Sequence, residues 1–179
     1  MKHSFYCLIP AKGISKSIPR KNLAKIKGKS LLELTITSAK RSRLIKEIFV
    51  SSEAKKILSI ANKLGVKFVK RSTKYSKGNI EPKFLVFEFL KKIKHVNKQD
   101  FIVYLQPTSP LRNTRHINRA INKILKKKKK SLTSVVEADN KFYKSLIVKN
   151  DNIYPIFNES KLTTSRQKLK KIYSPNGAI

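Results

Sequence analysis

LIPAKGISKSIPRKN, residues 8–22, decides how this chain is read. Its first residues finish an apolar run from Phe5 to Ile9 that has the length and composition of a strand. The rest packs small, polar and cationic residues into one loop. Gly13 permits backbone conformations closed to other residues, Ser15 and Ser17 offer hydroxyls, and Lys12, Lys16, Arg20 and Lys21 offer positive charge. Such a loop after a strand suits a polyphosphate; a lysine-rich surface loop is the alternative.

Outward from this stretch, apolar runs of strand length alternate with segments of helical period, so the fold class is α/β with a mostly parallel sheet covered by helices. A helix is expected over 30–43, with Ser30 and Glu33 spaced as a capping box and Leu32, Ile36 and Ala39 along one face. Strands are expected at 47–51 and 66–69, flanking a helix that Ser52 caps and Gly65 ends. Pro82 suits the first turn of a helix over 81–94, in which Phe84, Leu85, Phe89 and Leu90 are placed for burial. A central strand over 100–105 leads into the turn QPTSPLRN. The next helix buries Ile117, Ala120, Ile121, Ile124 and Leu125 and ends in five lysines, 126–130, read as a solvated terminus. Beyond it, 132–138, 142–148 and 153–157 read as strands of a section without an obvious helix, suited to a hairpin arm or a subunit contact.

The charge is extreme: 42 Lys+Arg against 10 Asp+Glu, a formal net charge of +32. Only 8 of those cations are arginine and the lysines are scattered, which fits the Lys, Ile and Asn bias of an AT-rich genome better than a nucleic-acid footprint. No recognised nucleic-acid motif is present. The charge still draws nucleotides and acidic sugars toward the surface and makes association salt-sensitive. A chain of 179 residues with 40% hydrophobic content supports one domain with a real core. The lone Cys7 lies within the first apolar run and reads as a buried thiol in a reducing compartment. With no cleavable leader and no run long enough to span a bilayer, a cytoplasmic location is expected.

Ligands of open α/β sheets bind outside the carboxyl ends of the strands, and two loops there carry chemistry. Beside the opening loop stands the one after Leu105. Gln106 presents a donor and an acceptor on one amide, and Thr108 and Ser109 add hydroxyls in a turn stiffened by Pro107 and Pro110. A plain turn whose hydroxyls serve its own backbone is the alternative for each residue, but two such loops on one sheet favour a shared nucleotide and substrate site.

IPAKGISKSIPRKN near the start, YLQPTSPLR in the middle and RQKLKKIYSPNGAI at the end together resemble the acylneuraminate cytidylyltransferase family, the CMP-sialic acid synthetases and their relatives for other nonulosonic acids. The resemblance implies a Rossmann-like nucleotidyltransferase fold with helices on both faces and a β-rich arm after Ala138. It implies transfer of CMP from CTP to the anomeric hydroxyl of an acidic nine-carbon sugar, with release of pyrophosphate and the help of Mg2+. It also implies a single domain over 1–179 and a homodimer built through an arm at 139–170, where Phe142, Tyr143, Ile153 and Phe157 suit a contact surface.

Carried over by motif, the resemblance makes Ala11, Lys12, Ser15, Lys21 and Asn22 the CTP side of the pocket, joined by Arg71 in FVKRS. Gln106 aligns with a substrate glutamine, Thr108 and Ser109 lie beside it, and Lys21 and Arg166 are the expected catalytic cations. Charge developing on the α-phosphate and on departing pyrophosphate is what such cations stabilise. The chain departs from the pattern in places. Lys12 replaces an arginine, Ser51, Ser52 and Glu53 replace a Ser-Thr-Asp-Asp type turn, and Gly78, Ile80 and Pro82 stand at usually polar positions. Family members continue past the NGAI strand into an Asp-x-Asp metal segment, whereas this sequence stops at Ile179, and Asp100, Asp139 and Asp151 are no evident substitutes. The expectation is a piece of a longer reading frame or a shortened, catalytically impaired chain, with an unpaired sheet edge and slow turnover by itself. A basic module for nucleotides or nucleic acid is the competing class.

Overall fold

The computed structural model describes residues 3–15, 18–76 and 80–179; Lys16, Ser17 and Gly78, named above, lie outside the described residues. The first unit runs from residue 1 to Leu132 and takes in Gly177–Ile179; the second is Thr133–Asn176.

In the first unit, β1 (Phe5–Pro10) is followed by a small hairpin of β2 (Lys25–Ile26) and β3 (Lys29–Ser30), then α1 (Leu31–Lys40), β4 (Glu47–Ser52), α2 (Lys55–Lys63), β5 (Lys67–Lys70), α3 (Pro82–Lys92), β6 (Phe101–Tyr104) and α4 (Thr114–Lys127). The main sheet has the order β5-β4-β1-β6, and every pairing in it is parallel. Side chains of β1 alternate between faces. Cys7 and Ile9 pack with Leu32 and Ile36 of α1, Ile57 of α2 and Ile117 of α4, while Tyr6 and Leu8 pack with Phe49 and with Phe89 of α3. Helices therefore cover both faces, which is why the β1 sequence is an unbroken apolar run rather than an alternating one.

Local signals explain most boundaries. The Ser30 hydroxyl accepts the Glu33 N–H and the Glu33 carboxylate accepts the Ser30 N–H, so the expected capping box forms. Pro82 opens α3. Gly65 follows α2 with φ +64°, the left-handed turn that favours glycine. Other expectations are corrected. Ser52 does not cap α2; Ala54 holds that position, and the Ser52 hydroxyl accepts the Ala54 N–H. Phe84, Leu90 and Leu125 are exposed, because α3 and α4 each present only a narrow stripe to the sheet. The strand expected to be central, β6, pairs only with β1 among the described residues and so lies at the edge. No helix among the described residues is long and apolar enough to cross a membrane.

The second unit pairs β7 (Val135–Ala138) antiparallel with β10 (Ile172–Pro175) and holds the hairpin of β8 (Leu146–Lys149) and β9 (Asn152–Pro155). Asn150 and Asp151, both at positive φ, make that hairpin's two-residue turn. The segment read as a strand over 142–148 begins instead as a 3-10 turn, Asn140–Lys144, where the Asp139 carboxylate accepts the Lys141 N–H. A short α5 (Ser160–Thr163) also stands where no helix was expected, and the terminal NGAI is not a strand: Gly177 turns at φ +66°.

Cys7 has a thermodynamic consequence. Burial pushes its thiol from 9.0 up to about 12, against a smaller opposing pull from Arg112. Between those values the folded chain keeps a proton that the unfolded chain has lost, so stability falls as pH rises, by at most about 1.4 kcal/mol per unit. Arg112, lowered to about 10 by burial, acts with the opposite sign above pH 10 because there the unfolded chain holds the extra proton. In denaturant titrations the stability of the protein should therefore decline from pH 9 to 10, and Cys7→Ala should flatten that slope; equal slopes would refute the assignment.

Candidate active site

Parallel pairing sends the loops after β1, β4, β5 and β6 out from one edge of the sheet. The chain moves from β1 to β4 and β5 on one side and returns to β6 on the other, so the strand order reverses between the ends of β1 and β6, the point at which open α/β sheets bind their ligands. Residues 11–22 and 106–112 leave the sheet there, from adjacent strands whose last paired residues on this side are Leu8 and Tyr104.

The first loop is pinned near both of its ends. The Ala11 N–H donates to the Ser51 carbonyl at 2.9 Å, and the buried Asn22 amide donates to the Lys12 carbonyl at 2.8 Å. Arg20 takes a left-handed conformation, φ 51°, and leads into a 3-10 turn over Lys21–Leu23 that leaves Lys21 half-buried. Gly13 is required for a reason the sequence did not show. It is not among the glycines at positive φ; instead, a Cβ built on it would stand 2.5 Å from the Ala54 Cβ. Its N–H donates to Glu53 Oε1 at 2.7 Å.

Arg71 follows β5 directly and its side chain is only 1% exposed. Nη2 donates to the Ser51 carbonyl at 2.8 Å, Nε to the Ser51 hydroxyl at 3.3 Å, and Nη1 lies 3.8 Å from Glu53 Oε2. Burial lowers its pKa, opposed first by Glu53 and then by Tyr104 and Glu88. The arginine thus sits beneath the loop ends with two of its three nitrogens held by Ser51.

Arg112 organises the turn after β6. Its Nη1 donates to the carbonyls of Gln106 and Ala178, each at 2.9 Å, and its Nη2 donates to the Thr35 hydroxyl at 3.0 Å. The Ser109 hydroxyl donates to the Gly177 carbonyl at 3.2 Å, and Thr108, exposed, places its hydroxyl 3.5 Å from Gln106 Oε1. Gly177 lies against the Gln106 side chain, where a Cβ would come within 3.5 Å of Oε1.

Ala11, Lys12, Ser15, Lys21, Asn22, Arg71, Gln106, Thr108 and Ser109 thus all follow the carboxyl ends of strands β1, β5 and β6 of the main sheet. Arg166 belongs to the second unit; its side chain is 54% exposed and Nη2 donates to Asp139 Oδ1 at 3.0 Å. A hydrogen bond from the Lys141 N–H, and then Arg166, hold the Asp139 carboxyl below its usual range.

Known proteins match this arrangement. A family model described as Cytidylyltransferase matches residues 6–178. The chain belongs to the cytidylyltransferase family. It is 30% identical over 176 residues to a pseudaminic acid cytidylyltransferase of Campylobacter jejuni, covering 97% of this chain and 75% of that protein. It is 31% identical over 184 residues to an N-acylneuraminate cytidylyltransferase of Streptococcus agalactiae, covering 97% of this chain and 42% of that one. Among solved structures, a CMP:2-keto-3-deoxy-manno-octonic acid synthetase complexed with CTP superposes with a TM-score of 0.61 at 16% identity, over 82% of this chain and 60% of that one. A 4-diphosphocytidyl-2C-methyl-D-erythritol synthase from Anaerococcus prevotii gives 0.59 at 18% identity, over 97% of this chain and 67% of that one. The structural likenesses confirm the α/β nucleotidyltransferase fold.

Two residues of this cytidylyltransferase chain escaped sequence reasoning. Arg112 was visible only as the last letter of a motif, and Glu53 only as a departure from one. A signal did exist: in a chain whose default cation is lysine, both buried cations among the described residues, Arg71 and Arg112, are arginines, whose planar fork serves several acceptors at once. Among the described residues no group of three His, Cys, Asp or Glu side chains stands ready to hold a metal ion. Glu53, the acidic group at the loop ends, is committed to Gly13 and Arg71.

Proposed function

We propose that this chain transfers CMP from CTP to the anomeric hydroxyl of an acidic nonulosonic sugar, releasing pyrophosphate. The observation that carries this reading is the parallel junction of β1 and β6, which sends the cationic loop and the Gln106 turn out side by side. Family membership at 30% identity to a pseudaminic acid enzyme supports the reaction class.

In this reading the triphosphate lies along residues 11–22. Lys12 and Lys21 face its charge, the Ser15 hydroxyl adds a donor, and Asn22 keeps the Lys12 backbone in place through the 2.8 Å bond. Gln106 and Thr108 orient the sugar by hydrogen bonds. The sugar hydroxyl attacks the α-phosphorus as the bond to the β-phosphate oxygen breaks, and the loop cations stabilise the pyrophosphate that leaves. A homodimer is part of the proposal, since Phe142, Ile147, Val148, Ile153 and Phe157 of the second unit are all exposed and a second copy would cover them. A cytoplasmic location goes with a nucleoside triphosphate substrate.

Thermal protection and calorimetry test the reading without requiring turnover. CTP should raise the melting temperature more than ATP does, and Lys21→Ala should weaken CTP by about tenfold, the loss of one charge-assisted contact. Equal protection by both nucleotides, erased by moderate salt, would instead indicate a nonspecific polyanion binder.

A further inference from the structure

The Glu53 carboxylate stands between the loop after β1 and the buried Arg71. Oε1 accepts the Gly13 N–H at 2.7 Å, while Oε2 faces Arg71 Nη1 at 3.8 Å. Both Oε2 and Nη1 are buried and lack a hydrogen-bond partner among the described residues. A buried cation ordinarily has its donors matched, because an unmatched one is costly. Here Ser51 takes two of the guanidinium nitrogens and the third is left near, but not on, the carboxylate. The closer of the two approaches that Glu53 makes is therefore to Gly13, and the close packing of Gly13 on Ala54 brings the loop within reach of it.

We propose that Glu53 is a positioning residue for the nucleotide: it sets the course of the loop by holding the Gly13 N–H, and Arg71 behind it offsets its charge. This rests on the CTP reading given above. An unpaired carboxylate beside a triphosphate would repel it, whereas the Glu53–Arg71 pair carries no net charge and leaves the loop lysines to set the local field. The glutamate that breaks the family pattern becomes the fastener of the loop.

The test uses the whole chain, with calorimetric CTP titrations and hydrogen exchange at the Gly13 amide. Glu53→Ala should weaken CTP by about tenfold and speed Gly13 exchange, because the acceptor is gone. Glu53→Gln keeps an oxygen for the Gly13 N–H and should stay within about threefold of the parent chain, with exchange still slow. A Glu53→Ala protein that binds CTP as well as the parent or better overturns the proposal, as does a Glu53→Gln protein as impaired as the alanine variant. If the parent chain itself fails to bind CTP, the functional reading falls; Gly13 exchange unchanged in Glu53→Ala would then remove the fastener as well.

Discussion

Gly13→Ala should weaken CTP binding by about tenfold or more, and adding Ala54→Gly should restore most of the loss. The cause is steric. A Cβ at residue 13 would lie 2.5 Å from the Ala54 Cβ and 3.3 Å from Glu53 Oε1, so the loop must lift away from β4 and its N–H must leave the carboxylate. Overpacking of this kind costs about 1–3 kcal/mol, and each 1.4 kcal/mol taken from binding is about tenfold. Since residue 13 does not need a left-handed backbone, alanine fits its conformation once the opposing methyl is gone. Calorimetric titration of the single and double variants decides it. If the double variant binds no better than Gly13→Ala, the close approach is not what glycine is there for.

Arg112→Leu should lower stability by about 2–4 kcal/mol, seen as a fall in melting temperature of roughly 5–15 °C. Its guanidinium closes three acceptors at once, the part-buried carbonyls of Gln106 and Ala178 and the buried hydroxyl of Thr35, and leucine leaves all three without it. Each such loss costs about 1–3 kcal/mol, partly offset because the cation no longer has to be buried. That burial cost is real: it pulls the Arg112 pKa from 12.5 down to about 10. Arg112→Lys should fall between the two, since a single ammonium cannot span three acceptors set in different directions. A leucine variant as stable as the parent chain would show that the three acceptors find other partners.

Much of the fold was legible because local chemistry and tertiary packing agree. The Ser30–Glu33 box, Pro82 at the start of α3 and the glycine turn at Gly65 each act within a few residues, where spacing in sequence is spacing in space. Errors came where a distant neighbour decides. Phe84, Leu90 and Leu125 are apolar at plausible helical positions, yet only the sheet determines which stripe of a helix is covered. Gly13 was read as a conformational requirement, and it is a contact with Ala54, a residue from the next β–α junction.

By itself, the sequence determined the alternation of strands and helices, the two polar loops that carry the chemistry, and the family motifs. These rest on periodicity, capping and composition, all of which are local. Only the tertiary structure decided which side chains meet: that Glu53 takes the Gly13 N–H, that Arg71 lies buried behind it, and that Arg112 ties Gln106 to Ala178 and Thr35. The contacts of Glu53 with Gly13 and of Arg112 with Ala178 and Thr35 join residues from 40 to 77 positions apart, and nothing in local propensity encodes a partner at that distance; parallel strand pairing brings the loops together, and buried donors then take the acceptors within reach.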